Sequence, residues 1–521
     1  MFNTPFKVAA ARAPCNYRPV NSSQITRIEC RGEHVCSLTG LLCRACCREA
    51  IVTVLNAVID FLNTIFWSYV LIYGLIVVGL YFTFRLGFIQ FRHFPEFVRS
   101  VMKAPASDAS GITPFQALCT SLASRVGTGN LAGVAVAVFL GGPGALFWMW
   151  VVAAVGMATA YSESALAQLY KITDHNGQYR GGPAFYISRG LNAPWAGVIF
   201  SVCLIIAFGL VFNAVQANSI ADAMQGAFGI DKLWVGIALA VLTAVVIFGG
   251  IRQIAQVAEY VVPFMAVAYL GMAIYVVLAN ITEVPGVIAL IVKSAFGIEQ
   301  AAGGVAGAML NGVKRGLFSN EAGMGSAPNI AAVATPSPHH PASQGFVQAL
   351  GVFIDTILIC TATGIMILLS GVMTPGSELT GTPLTQEAMV AHIGEAGRYF
   401  IAIAIFFFAF TSIIGNYAYS ENAMVFLKLD NKGTITALRT AVLLMVVWGA
   451  YTTVAVVFNM ADAAMGLMAS VNLVAIVLLS GTVAKLTKDY FEQKKTGEPR
   501  FDPEAYPELK GKIEHAIWAR K

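Results

Sequence analysis

Charge is what this chain has least of. Only 12% of its 521 residues are Asp, Glu, Lys or Arg, about half the share of an ordinary water-soluble domain. With 57% of residues apolar, a chain of this length cannot clothe itself for water. No ~10-residue segments alternate apolar and polar with the period of two that an outer-membrane barrel needs. No His-Glu-x-x-His pattern occurs, and the His residues are scattered apart from His339-His340 in a polar, Pro-containing loop, so an enzyme is not expected. No basic stripe is interleaved with aromatics, which argues against a nucleic-acid surface.

Long apolar runs stand in place of these features. Phe66–Phe84 and Ala193–Ser219 carry no charge, and Leu438–Met460 carries only Arg439. Each can cross about 30 Å of hydrocarbon as a helix. Helices are required because lipid offers no partner for backbone N–H and C=O groups. The expected fold class is therefore an all-α polytopic membrane protein. About eleven transmembrane helices are predicted, near 63–84, 115–141, 143–170, 195–223, 233–250, 256–280, 301–332, 345–372, 398–427, 437–458 and 461–484. The weaker runs 286–300 and 384–396 fit interfacial helices.

Positive charge orients the spans. Arg85, Arg92, Arg99 and Lys103 follow the first span, Lys171, Arg180 and Arg189 the third, and Lys428, Lys432 and Arg439 the ninth. The opposite links carry only Lys232, Lys293 and Arg398. The C-terminus is thus expected in the cytoplasm, and the tail from Tyr490, rich in Lys, Glu and Pro, reads as a solvated end. An odd number of spans puts the N-terminus outside, against the basic character of residues 1–50. That stretch holds Cys15, Cys30, Cys36, Cys43, Cys46 and Cys47. Cys43-x2-Cys46 has a ligand-like spacing, but the topology conflict favours a disordered extension or a misplaced start. No apolar signal-peptide core precedes the first span.

Two spans are interrupted at matching places, around Ser124–Asn130 in the second and Arg315–Ser326 in the seventh. Glycine and small polar residues weaken a helix in mid-span and let backbone approach a ligand. Freed amides at a helix start suit a carboxylate, and freed carbonyls suit a hard cation. With the first span set aside, each interrupted helix opens a group of five, at 113–282 and 300–485, with 60–85 as an extra helix and 486–521 as a tail. An odd repeat length inverts the second group relative to the first, the plan of many secondary transporters. The alternative is that such glycines serve close helix packing.

Other spans add polar faces. Asn213 and Gln216 share one face of the fourth, and Thr411, Ser412 and Asn416 lie on the ninth; interhelical hydrogen bonding is the competing role. Arg125, Glu163, Asp222, Glu259, Glu321 and Asp355 are ionisable residues within spans, which are costly in lipid. Arg125 and Glu321 could form a gate or an ion pair, and Glu163 and Asp355 could relay protons or pair structurally.

The stretches Thr113-Pro-Phe-Gln-Ala-Leu-Cys-Thr120, Val126-Gly-Thr-Gly-Asn-Leu-Ala-Gly-Val134, Gly141-Gly-Pro-Gly-Ala-Leu-Phe-Trp-Met-Trp150, Gly181-Gly-Pro-Ala-Phe-Tyr186 and Arg315-Gly-Leu-Phe-Ser-Asn-Glu-Ala-Gly-Met-Gly325 together resemble the alanine or glycine:cation symporters, over about 60–490. The resemblance implies a leucine-transporter-type fold of the amino acid–polyamine–organocation superfamily. It implies a substrate carboxylate on the amides of Thr128 and Gly129, with Gln216, Phe318, Ser319, Asn320 and Asn416 completing the substrate pocket. It also implies coupling sodium (Na+) near Ala123, Val126, Asn130, Thr411 and Ser412. Some relatives carry Trp where this chain has Asn416. The expected activity is import of a small neutral amino acid, alanine or glycine, with sodium across the bacterial inner membrane. Proton coupling, sodium-independent carriage, glutamine or D-alanine, and a passive channel are the alternatives.

Overall fold

The computed structural model describes residues 59–102, 108, 110–297, 304–373 and 379–519. The Cys-rich first fifty residues, with the Cys43-x2-Cys46 pair, lie outside the described residues. Helix dominates; a two-residue antiparallel pair, Ile172–Thr173 with Tyr179–Arg180, makes one small hairpin. The helices are α1 (Ile72–Arg85), α2 (Pro114–Arg125), α3 (Gly129–Gly141), α4 (Gly144–Leu169), α5 (Pro194–Phe228), α6 (Lys232–Ile247) and α7 (Gly250–Ala279). They continue with α8 (Gly304–Asn320), α9 (Pro328–Val333), α10 (Ala342–Leu369), α11 (Ala396–Phe426), α12 (Lys432–Tyr451), α13 (Val454–Leu478) and α14 (Ser480–Lys494).

Among the described residues, seven helices are long and apolar enough to cross a membrane, and α2 with α3, bent by 54°, makes an eighth. The other three expected spans exist as helices where predicted, but α1 and α6 are shorter and the seventh span is divided between α8 and α9. Length and composition therefore reach eight rather than eleven. The interfacial runs form Val284–Ala295 and Gly381–Ile393.

Local sequence sets the ends. Thr113 caps α2 by accepting the Gln116 N–H at 3.1 Å, while Gln116 Oε1 accepts the Thr113 N–H at 3.1 Å, with Pro114 in the first turn. This reciprocal cap satisfies two amides that a helix start leaves unpaired. Gly229 closes α5 at φ 68°, a conformation that favours glycine.

Burial separates scaffold from centre. The most apolar stretches of α4 and α5 are 67% buried, but those of α7 and α12 only 28%. The outer helices therefore present Tyr260, Phe264, Val267 and Leu444 outward, a surface fit for lipid and not for water. At the centre, the two interrupted spans pass each other in opposite order, the start of each beside the end of the other. At one end, Ile112 donates to Val333 O at 3.3 Å and accepts from Thr335 N–H at 2.9 Å. At the other, a Cβ on Gly141 would lie 3.0 Å from Gly307 O. Midway, a Cβ on Gly129 would lie 2.9 Å from Phe318 Cδ1 and 3.2 Å from Ser319 Cα.

The C-terminal tail differs from expectation. It folds back and buries Phe501, Tyr506, Leu509, Ile517 and Trp518. Trp518 stacks near His339 and Phe501, and Phe501 N–H donates to His339 O at 3.0 Å. The polar composition hid a few well-spaced aromatics whose burial outweighs the hydration of the rest.

Candidate functional site

The first interruption is short and is defined by diverted amides. Val126 leaves the helix at ψ 85°. Gly127 N–H donates to Asn130 Oδ1 at 3.0 Å, and Thr128 N–H to Gln216 Oε1 at 2.9 Å. In a continuous helix these amides would close on the carbonyls of Ala123 and Ser124. Turned elsewhere, they leave those oxygens facing the break. Gly127 lets Ser412 and Gln216 approach the break: a Cβ there would displace Ser412 Oγ and lie 2.8 Å from Gln216 Oε1. A widened turn, Gly129–Gly133, then starts α3.

The second interruption lies later than the sequence implied. α8 stays helical through Asn320, and the chain turns at Glu321, Gly323 and Gly325 with φ of 57°, 88° and 83° before α9 begins at Pro328. Phe318, Ser319 and Asn320 are thus on the last helical turn, not in unwound backbone. The earlier glycines mislead because they are packing residues. A Cβ on Gly312 would collide with Ala145 O, and one on Gly316 would lie 2.6 Å from Val152 Cγ1, both on α4. The last carbonyls of α8, the negative end of its dipole, point toward the other break and suit a cation or an ammonium group.

Polar side chains clamp this second loop. Glu321 accepts Ser124 Oγ at 3.2 Å and Ser326 Oγ at 2.5 Å. Glu163 accepts Gly323 N–H at 3.3 Å and Asn472 Nδ2 at 2.8 Å, and Asn472 Nδ2 also reaches Gly323 O at 2.9 Å. Tyr186 Oη donates to Asn472 Oδ1. Arg125 makes no ion pair with Glu321. Its Nη1 donates to Gln348 O at 3.1 Å, while Nε and Nη2 lack a hydrogen-bond partner among the described residues.

Asp355 joins the first break to the end of α8. It sits in a widened turn, Phe353–Cys360, of a kind common at functional sites. Its carboxylate accepts Asn130 Nδ2 at 2.6 Å from the first break, Ser319 Oγ at 2.8 Å from the end of α8, and Thr356 Oγ1 at 2.6 Å. Sequence reasoning marked Asp355 as an ionisable residue in a span, fit to relay protons or to pair structurally. Its cross-break contacts carry no linear signal.

Aromatic rings roof the site on the Gly304 side. Phe208, Phe212, Phe318 and Phe458 stack in series at 4.6, 4.8 and 5.7 Å. The Arg315 guanidinium lies 5.2 Å from the Phe458 ring centre and pairs with Asp462 at 2.8 Å, which also holds Lys314 at 2.6 Å.

The sequence profile of the sodium:alanine symporter family matches residues 52–503. This chain belongs to the sodium:alanine symporter family.

Among its relatives, the symporter is 51% identical to the amino-acid carrier protein AlsT of Bacillus subtilis over 457 residues, covering 87% of this chain and 96% of that protein. It is 49% identical to the "Probable sodium/glutamine symporter GlnT" of Bacillus subtilis, covering 88% and 94%. It is 40% identical to the sodium/alanine symporter AgcS of Methanococcus maripaludis, covering 84% and 98%. Membership makes the protein a membrane-embedded amino acid symporter and not an enzyme.

The symporter's structure brings most of the expected residues together. Thr128, Gly129, Gln216 and Ser412 surround the first break, and Phe318 and Ser319 abut Gly129. Thr128 Oγ1, at the first break, and Asn320 Nδ2, on the last turn of α8, are buried without a hydrogen-bond partner among the described residues. Three residues are otherwise engaged. Thr411 donates to Phe408 O at 2.9 Å and points toward Met265 Sδ of α7 at 3.9 Å. Asn416 is tied between Ser124 at 2.5 Å and Asn213 at 3.0 Å. Asn130 spends both ends of its amide, on Gly127 N–H and on Asp355.

Proposed function

We propose that the symporter imports alanine or glycine together with sodium by alternating access. One observation carries the reading: the start of α3 at the first break abuts the last turn of α8, just before the second break, and Thr128 Oγ1 and Asn320 Nδ2, one at each of these places, are buried without a hydrogen-bond partner among the described residues. A small zwitterion fits such a junction. Its carboxylate is assigned to the start of α3 at Thr128 and Gly129, where Gln216 Oε1 now accepts the Thr128 N–H and stands in for a carboxylate oxygen. Its ammonium is assigned to the C-terminal end of α8, at Phe318, Ser319 and Asn320. Asn416 acts at one remove, through Ser124.

Sodium, as co-substrate, is assigned to the carbonyls of Ala123 and Val126 with Ser412, Thr411 and Asn130; these are hard oxygen donors, as a small hard cation requires. Asp355 supports the coupling, because one carboxylate contacts both half-helices. Sodium and substrate are coupled if each favours the same arrangement of the breaks. The aromatic roof and the Ile112–Thr335 backbone pairing are the closures on the two sides. The antiparallel run of the interrupted spans supports inverted repeats at 113–282 and 300–485. The excess of Lys and Arg in one set of links supports a cytoplasmic C-terminus, in a bacterial inner membrane.

The test is radiolabelled uptake into proteoliposomes across a panel of alanine, D-alanine, glycine, serine and glutamine, with sodium or pH gradients. Sodium-driven accumulation of alanine or glycine is expected. Accumulation indifferent to sodium but driven by a pH gradient would select the second reading, proton coupling through Asp355. Preference for glutamine would reassign the substrate.

A further inference from the structure

A cleft of about 440 Å³ lies away from the paired breaks, on the face carrying the Lys- and Arg-rich links. It is enclosed by the hairpin after α4, the short helix Pro183–Gly190 and the end of α11. Of its two acidic groups, Asp174 is paired with a permanent cation. Asp174 pairs with Arg180 at 2.9 Å and accepts the N–H groups of Asn176 and Gln178, and Asp430 lies 3.2 Å from His175. Its two other cations, Arg189 and Lys428, line the cleft without an ion pair or side-chain hydrogen bond among the described residues. The chain presents Lys428 from a left-handed backbone at φ 58°, so the turn after α11 is fixed and not a loose end. The cleft therefore offers two unpaired cations against one carboxylate, Asp430, whose partner His175 is charged only when protonated.

Its wall leads into the membrane. Phe185 and Phe426 meet edge to face at 5.1 Å. Phe426 packs on the first turn of α5, where a Cβ on Gly197 would lie 2.8 Å from its Cζ. From there Trp195, Val198, Ile199, Val202 and Ile206 form one outward stripe at helical spacing, each at least 44% exposed and Trp195 70%. A Trp at the start of such a stripe fits the membrane–water boundary. A soluble anion would use the two cations and leave the stripe idle; a lipid would use both.

We propose that this cleft holds the phosphate headgroup of an anionic phospholipid, with Arg189 and Lys428 on the phosphate and the acyl chains along the Trp195–Ile206 face. Basic pockets between helices at the cytoplasmic surface are suited to such headgroups. Arg supplies a fork of donors to phosphate oxygens and Lys a point charge.

The test is independent of transport. Delipidated full-length protein in detergent is titrated with phosphatidylglycerol or phosphatidylcholine and read by native mass spectrometry. Wild type should retain phosphatidylglycerol roughly tenfold better. Lys432→Ala, a basic residue of the same face but not lining the cleft, should keep that preference, and Arg189→Ala/Lys428→Ala should lose it. If the double variant misfolds, Lys428→Ala alone should lower the preference several-fold. Equal retention of the two lipids by wild type, or a variant that folds and keeps the preference, overturns the proposal. Displacement of phosphatidylglycerol by millimolar inorganic phosphate would replace the lipid with a free phosphate and overturn the lipid assignment.

Discussion

Gly129 has no room for a side chain, because a methyl group there would meet the ring of Phe318 and the backbone of Ser319. Backbone gives less readily than a flexible side-chain end, so Gly129→Ala should push the first break away from the end of α8. Initial alanine uptake in proteoliposomes should fall at least about tenfold at matched protein content. Wild-type uptake by this variant would show that the close approach is dispensable. Asp355 sets a second expectation at this scale. Replacing it by Asn keeps the volume but removes the charge that three donors now meet. Hydrogen bonds to a charged group are worth about 1.5–3 kcal/mol, so Asp355→Asn should raise the half-saturating sodium concentration about tenfold or more. An unchanged sodium titration would remove Asp355 from ion coupling.

The second break is held as an element, not by its own sequence. Asn472 of α13 ties Glu163 of α4, Gly323 of the loop and Tyr186 into one knot. Asn472→Ala would strand these buried groups, each at a cost of about 1–3 kcal/mol. The thermal unfolding midpoint in detergent should drop by several degrees; no drop would mean the loop holds without the knot. On the opposite side, Asp462 pairs with both Lys314 and Arg315. Removing one partner of a buried cluster leaves charge uncompensated, so Asp462→Ala should loosen the roof. A Cys placed at Phe458 should then react faster with a membrane-impermeant thiol reagent than it does beside Asp462.

At the scale of the whole molecule, the tail and the inner loop are one unit. Burial lowers the pKa of His340 below its usual 6.5, against the opposing pull of Asp489, and burial next to Lys171 lowers His339 likewise. A depressed folded-state pKa gives docking that is intact above 6.5 and weakens as pH falls through the folded value. Tyr490, Phe501 and Trp518 face these rings from the tail. Hydrogen–deuterium exchange of the 334–341 loop should therefore rise on acidification from pH 7.5 to 5.5, and Trp518→Ala should raise it at neutral pH. Exchange that is flat with pH would exclude the two His residues as the titrating groups.

Sequence alone determined the membrane class, the place of the long apolar helices and the existence of two interruptions, because apolar run length, charge scarcity and helix-breaking residues are local properties. Ser124–Asn130 was legible as a break for that reason. Tertiary structure decided the rest. Gly312 and Gly316 look like breakers but serve contact with α4, so the second break moved to 321–327. The joining role of Asp355, the engagement of Thr411 and Asn416 elsewhere, and the docked tail all depend on partners far along the chain. Residue type states what a side chain can bond; only packing states which partner is within reach.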